Sequence, residues 1–258
     1  MSQHNGDDGD GFELRRADAI RYLACVPLEQ EGFVAAFSTR DGWREGEPAG
    51  DTAARLARVI GRAGATVITC KQVHGRDVRV VRAAGEAAGP ETECDAVTAM
   101  GPGLLLGIKT ADCVPILIAD RRTRAVAAVH AGWRGTVARV VERAFATMVV
   151  TWETKRTDCI AAVGPAVCGD CYEVGPDVLR QMRDEFPYAG RFVRDGEDGK
   201  GFVDLKEANA IQLELCGLKP EQIAVTDRCT ICENETYFSY RREGARAGRI
   251  LSLVGDAG

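Results

Sequence analysis

Along the middle of this chain the apolar residues come in short β-rich blocks, separated by turn residues, and only a few stretches switch to a helical period. Blocks of this kind predict strands at 33–38, 66–73, 77–82, 95–98, 104–109, 114–119 and 125–129, with a helix at about 52–62. After "AGWRGT" the period changes. Val137, Val140, Val141, Ala144, Phe145 and Met148 fall on one 3.6-residue face, which predicts an amphipathic helix. Further on, the pattern predicts a strand at 159–163, a helix at 176–186, a polar loop at "DGEDGK", a helix at 205–216, and strands at 223–225, 237–240 and 250–253. No internal repeat or low-complexity linker divides the chain, so a single domain over 12–258 is expected.

Composition narrows the class. A chain of 258 residues with 45% hydrophobic positions is long enough to bury roughly 70–75% of its unfolded surface, as soluble globular proteins do. The formal charge of -5 argues against a sequence-independent grip on nucleic acid, which needs clustered cations, but leaves free nucleotides and small anions as partners. Lys109 and Asp112 interrupt the most apolar stretch, "GLLLGIKTADCVPILIAD", so no membrane span is expected. The start, "MSQHNGDDGDGF", lacks the basic-then-apolar order of a secretory signal, and residues 1–11 are expected to be a disordered acidic tail. Ten cysteines without such a signal point to a reducing, cytoplasmic setting, where thiols persist as packing groups, ligands or nucleophiles. Cys25, Cys70, Cys94, Cys159 and Cys216 read as packing.

The candidate chemistry centres on "AVAAVHAGWRGTVARVVERAF", a strand, a tight loop and a helix. Gly132 and Gly135 are expected to take positive φ there, and the free N–H groups at the helix start, with Arg134, form a candidate anion site; the alternative is a tight turn with a surface arginine. Of three histidines, His4 lies in the tail, which leaves His74 and His130, each closing a strand-like run before a small residue. Pro115 predicts a turn or bulge over 112–115 that turns Cys113 toward a cleft. Two imidazoles and a thiolate are zinc ligands that leave a fourth position open, although spacing alone equally admits ordinary buried histidines. The pairs "CGDC" (Cys168, Cys171) and "CTIC" (Cys229, Cys232) lie too far apart for a compact knuckle, and are expected neither to form a second tetrahedral zinc site nor to act as a thioredoxin-like couple.

Five stretches, "KQVHG", "CDAVTAMGPGLLLGIKTADCVPILIAD", "AAVHAGWRGT", "GPAVCGDCYEVGPDV" and "YFSYRREGARAGR", resemble in order the motifs of the laccase-domain family, also called the polyphenol-oxidase or peptidoglycan-editing-factor family. The resemblance spans about 33–253. It implies an α/β (α+β) fold of layered α/β/β/α mixed sheets, similar to cytotoxic-factor-type hydrolases. It also implies a zinc-dependent purine nucleoside phosphorylase for adenosine, inosine and methylthioadenosine, with adenosine deaminase activity. The family's zinc ligands and catalytic centre then fall on His74, Cys113 and His130. The family's glycine-rich and "SLNL"-like continuation of "STR" is replaced here by "STRDGWREGEPAGDTAARLARVIG", so an altered substrate lip is expected. Cys171 fits "CYEVG", whereas Cys168 and Cys232 look peculiar to this chain.

Phosphorolysis needs an anion site, for which Arg134 is the first candidate, followed by Arg40 in "STR" and Arg241 in "SYRR". The partners implied are purine nucleosides and phosphate. A rival reading makes Cys113 a nucleophile with His130 as base, or uses zinc, in a hydrolase that edits peptidoglycan precursors. A third is a non-catalytic zinc-containing binding protein. A multicopper oxidase is disfavoured, because two ordered histidines cannot build a trinuclear copper cluster.

Overall fold

The strand-dense sequence folds into two six-stranded mixed sheets and one small sheet, in a computed structural model that describes residues 9–42, 49–83, 85–86 and 92–258. Most of the expected acidic tail, with His4, and residues 43–48 of the segment after Arg40 lie outside the described residues. The first sheet runs β1 (Phe12–Ala17), β2 (Ile20–Cys25), β3 (Phe33–Ser38), β15 (Ile250–Asp256), β7 (Leu104–Thr110) and β4 (Thr66–Ile68). The second runs β14 (Ile223–Val225), β10 (Cys159–Val163), β8 (Val114–Asp120), β9 (Ala125–Ala131), β6 (Ala96–Met100) and β5 (Val78–Val81). The third joins β11 (Glu173–Val174), β13 (Gly201–Val203) and β12 (Val193–Asp195).

Side chains of a strand alternate faces, and the core follows that period. In β8, Leu117 and Ala119 point into the layer between the two large sheets, where Phe37, Leu106 and Val254 of the first sheet meet them. Ile116 and Ile118 point the other way, toward α4 (Val140–Trp152), α5 (Pro176–Glu185) and α6 (Leu205–Leu215). Both faces being covered explains why β8 reads as a continuous apolar run. On the outer face of the first sheet, Leu56 of α2 (Ala49–Val59) packs with Leu105, Leu251 and Leu253. The layers are therefore α/β/β/α, the arrangement that the resemblance implies. Among the described residues no helix is long and apolar enough to cross a membrane.

Several elements differ from the pattern. The β1–β2 hairpin, paired from Phe12↔Cys25 to Ala17↔Ile20, was not legible because the charges of "FELRRA" mask its alternation. The strand expected over 66–73 stops at Ile68, and the N–H groups of residues 73–75 serve a side chain instead. The helix after "AGWRGT" is two helices, α3 (Trp133–Val137) and α4, broken where Arg139 adopts a left-handed φ of 59°. Residues 237–239 are not a strand, and Tyr240 opens α7 (Tyr240–Glu243). Pro115 lies within β8, not in a turn or bulge, and pairs with His130; because the β10 ladder begins one residue later at Val163↔Ile116, its missing donor falls at the strand's beginning.

Sequence distance misleads most for the paired cysteines. The loop after β10 and the segment after β14 lie side by side, joined by an Ala166↔Cys229 bridge, and the sulfurs of Cys168, Cys171, Cys229 and Cys232 lie within 4.8 Å of one another. Their wide spacing in sequence is closed in space by the parallel pairing of β10 with β14.

Candidate metal centre

Ladder register brings Cys113 and His130 to one end of the second sheet. Cys113 immediately precedes β8, His130 is the penultimate residue of β9, and the pairs Val114↔Ala131 and Pro115↔His130 align them. The neighbouring strand β6 begins one residue after Asp95, whose carbonyl accepts the His130 N–H at 2.8 Å. His74 comes from the segment between β4 and β5, in a left-handed conformation with φ 59°. That conformation lets the N–H groups of Val73, His74 and Gly75 converge on the Asp95 carboxylate at 3.2, 2.9 and 2.7 Å. The same carboxylate accepts from His130 Nδ1 at 2.8 Å.

Asp95 is thus fully buried with four donors on one carboxylate. Burial disfavours its charge, but the bonds from His130 and the backbone outweigh that and hold the carboxyl below its usual range. An ionised carboxylate only accepts, so Nδ1 of His130 carries the proton and Nε2 is turned to the cluster. This is the arrangement in which a metal-binding histidine is commonly oriented.

The ligand atoms of His74, Cys113 and His130 lie within 4.8 Å of one another, with Cys113 Sγ 4.0 Å from His74 Nε2. The imidazoles meet edge to face, with centroids 4.9 Å apart. Burial opposes ionisation of Cys113, yet the hydrogen bonds and charge of His130 and His74 bring its thiol down to about 6. Burial likewise opposes charge on His130, yet Asp95 and the Cys113 thiolate push it up to about 9. A borderline-soft cation suits two imidazole nitrogens and one thiolate, and zinc fits that donor set far better than magnesium or calcium, which take oxygen.

Gly132 makes the approach possible. A Cβ there would stand 2.9 Å from Cys113 Sγ and 3.1 Å from His74 Cδ2, so any other residue must displace a ligand. The expectation of positive φ at Gly132 and Gly135 is corrected: Gly132 has φ -75°, and neither is among the glycines with positive φ. Close packing requires them instead, since a Cβ on Gly135 would stand 3.2 Å from the Gly75 carbonyl.

The cluster opens onto a cleft of about 940 Å³, whose lining includes Lys71, Lys109, Tyr172, Tyr240, Arg241 and Arg249. Asp112, with φ 84°, ties the cleft wall to the ligand beside it. Its Oδ1 accepts the Thr230 hydroxyl at 2.7 Å and its Oδ2 the Arg241 N–H at 2.7 Å. The Arg241 guanidinium donates to the Glu173 carbonyl at 2.7 Å and lies 4.9 Å from the Tyr172 ring centroid. Burial pushes the Tyr172 hydroxyl up to about 12, so at neutral pH it remains a hydrogen-bond donor.

The three arginines singled out from sequence part company. Arg241 lines the cleft, while Arg134 and Arg40 are not among its lining residues. Arg134 is exposed and lies over the Trp133 ring, 4.3 Å from its centroid. Arg40 donates to the carbonyls of Asn234 and Tyr237 and pairs with Glu243, so it holds the segment leading to Tyr240 and Arg241. Sequence reasoning missed Asp95 and Tyr172. Asp95 shares with the Asp112–Cys113 pair the signal of a polar residue directly before an apolar strand.

Residues 45–256 match a family model described as multi-copper polyphenol oxidoreductase laccase. The chain is 36% identical over 224 residues to a protein of Deinococcus radiodurans named purine nucleoside phosphorylase, covering 87% of this chain and 83% of that one. It is 37% identical over 162 residues to an adenosine deaminase of an unknown prokaryotic organism, covering 62% and 61% of the two chains. The crystal structure of YlmD from Geobacillus stearothermophilus superposes with a TM-score of 0.84 at 26% identity, over the whole of both chains. On the extent of the family match, the Deinococcus relative and the shared fold, this chain belongs to the polyphenol oxidoreductase laccase family.

Proposed function

We propose that the chain is a zinc-dependent purine nucleoside phosphorylase for adenosine, inosine and methylthioadenosine, with adenosine deaminase activity at the same centre. The observation that carries this reading is the convergence of His74, Cys113 and His130 beneath a cleft lined by Lys71, Lys109, Arg241 and Arg249. A cationic cleft concentrates anions such as phosphate, and the names of the relatives point to nucleosides as the other substrate. His74, Cys113 and His130 would hold the zinc, which when bound supplies Lewis-acid polarisation of a substrate oxygen and activation of water.

The chain's own residues have distinct tasks. In phosphorolysis a phosphate oxygen bonds to the sugar C1′, the C1′–N bond breaks, and its electron pair leaves with the purine nitrogen, which gains a proton. Arg241 binds the incoming phosphate, assisted by Arg249, and the Tyr172 hydroxyl donates a hydrogen bond to substrate. Tyr240, 54% exposed at the cleft, offers a ring face to the purine. Arg40 is a positioning residue for this segment, and Arg134 has a lesser, outer role. The test is product identity from purified protein given inosine or adenosine, with and without phosphate. Hypoxanthine released from inosine only when phosphate is present is the expected result. Adenosine turned to inosine regardless of phosphate, with no free base released from either nucleoside, would leave deamination alone.

One observation favours a second reading. Cys113, His130 and Asp95 line up as a thiol, a histidine and an orienting carboxylate, with the thiol brought down to about 6, as in a cysteine hydrolase. The Cys113 thiolate would attack an amide carbonyl, His130 would protonate the leaving amine, and water would release the acyl group, as peptidoglycan-precursor editing requires. Activity that survives full removal of metal is the outcome that would favour it.

A further inference from the structure

Cys168, Cys171, Cys229 and Cys232 form a second cluster that the proposed reaction does not use. They come from two loops, one after β10 and one after β14, whose backbones are joined by the Ala166↔Cys229 bridge and a Thr230 N–H to Ala166 carbonyl bond of 3.1 Å. All four sulfurs lie within 4.8 Å of one another, and Cys171 Sγ is 3.5 Å from Cys232 Sγ. A disulfide needs about 2.05 Å between sulfurs. A tetrahedron of sulfurs at the usual zinc distance of about 2.3 Å has an edge of about 3.8 Å, within the spread observed here.

Each C-x-x-C pair folds into the turn that such a site needs. The Cys171 N–H donates to the Cys168 carbonyl at 3.0 Å, and the Glu233 N–H to the Cys229 carbonyl at 2.9 Å. Cys229 Sγ accepts backbone N–H groups from Cys168 at 3.3 Å and Cys232 at 3.5 Å, an environment suited to a thiolate. The scaffold beneath is built closely. A Cβ on Gly169, between the first two cysteines, would stand 2.9 Å from Cβ of Asp204, the residue that caps α6. Buried Lys206 donates to the Thr226 carbonyl at 2.6 Å, fixing the approach to Cys229.

We propose that these four cysteines are a closed, four-thiolate site for a structural zinc ion, separate from the cluster at the cleft. Four soft sulfur donors select zinc over hard cations, and with four protein ligands no position is left for substrate. Its place in the fold gives it a task. One loop continues into Tyr172, which lines the cleft, and the other carries Thr230, bonded to Asp112, beside Cys113. A zinc ion here staples together the two segments that form the cleft wall.

The test counts zinc in the full-length protein, purified under reducing conditions and loaded with zinc before excess metal is removed. Two zinc ions per chain are expected for the unaltered protein, and one each for Cys113→Ala and for Cys168→Ala/Cys232→Ala. Cobalt-loaded Cys113→Ala should show thiolate-to-cobalt charge-transfer bands of a tetrahedral four-sulfur site, which keeps the test decisive if the double variant does not fold. The zinc retained by Cys113→Ala is the deciding count whatever the total in the unaltered protein. A Cys113→Ala chain that folds yet holds no zinc, or whose four cysteines emerge as disulfides by mass after reducing purification, overturns the proposal.

Discussion

His74, Cys113 and His130 gather at the end of the second sheet and face a cleft; Cys168, Cys171, Cys229 and Cys232 gather where two loops meet and face one another. The first group is held without a metal, since strand register fixes two of its members and the Asp95 carboxylate fixes the third. The second rests on backbone turns and one bridge, and without a cation burial and the neighbouring cysteines push the Cys171 thiol up, so it stays protonated. A preformed, three-ligand group with an open side suits chemistry, and a closed, loop-borne group suits bracing.

The contrast breaks most visibly at the ligands of the cleft. Cys113→Ala or His130→Ala should lower phosphate-dependent base release at least about a thousandfold, since the Lewis acid supplies several kcal/mol, while circular dichroism stays unchanged. Smaller is the effect of Arg241→Ala, a charge-assisted contact of about 1.5–3 kcal/mol, which should raise the phosphate KM roughly 10- to 150-fold and leave the zinc count unchanged. An unchanged KM would move the anion to Arg249 or Arg134. Asp95→Asn should weaken zinc at the cleft by about 10- to 100-fold, measured by competition with a chelator, and leave the four-cysteine zinc in place.

A pH dependence sharpens the comparison further. Without metal, the Cys113 thiol ionises near about 6 and His130 loses its proton near about 9. Between those limits the thiolate is ready but zinc must displace the His130 proton, so that step alone raises apparent affinity about tenfold per pH unit, flattening above about 9. Below about 6 the thiol is protonated as well, and affinity falls more steeply. Calorimetry in buffers of different ionisation heat reads the proton released, and a release of none at neutral pH would contradict the assigned states. The smallest effect belongs to Arg134→Ala, which should change the phosphate KM by less than about threefold, as for an exposed residue away from the lining.

What the sequence shows and hides follows the same division. The strand at 33–38 and the apolar face of α4 are legible because burial on a regular element imposes a period on the residues themselves. Cys113 and His130 adjoin such elements, so the strand boundaries mark them. Asp95 is hidden because its role depends on three N–H groups of a segment about 20 residues earlier, turned by the left-handed φ of His74. The four-cysteine cluster is hidden for a related reason: 61 residues separate Cys171 from Cys232, and only the β10–β14 pairing brings them together. Likewise nothing in "STR" or "AGWRGT" reveals that Arg40 is spent on carbonyls and Glu243, or that Arg134 turns to Trp133.

The central claim, that the cleft cluster works through a bound zinc, is tested most directly by stripping the metal from the unaltered protein and following base release from inosine with phosphate. Turnover that vanishes with the metal and returns on adding zinc back is the predicted result. Undiminished turnover in protein verified to hold no metal would contradict it.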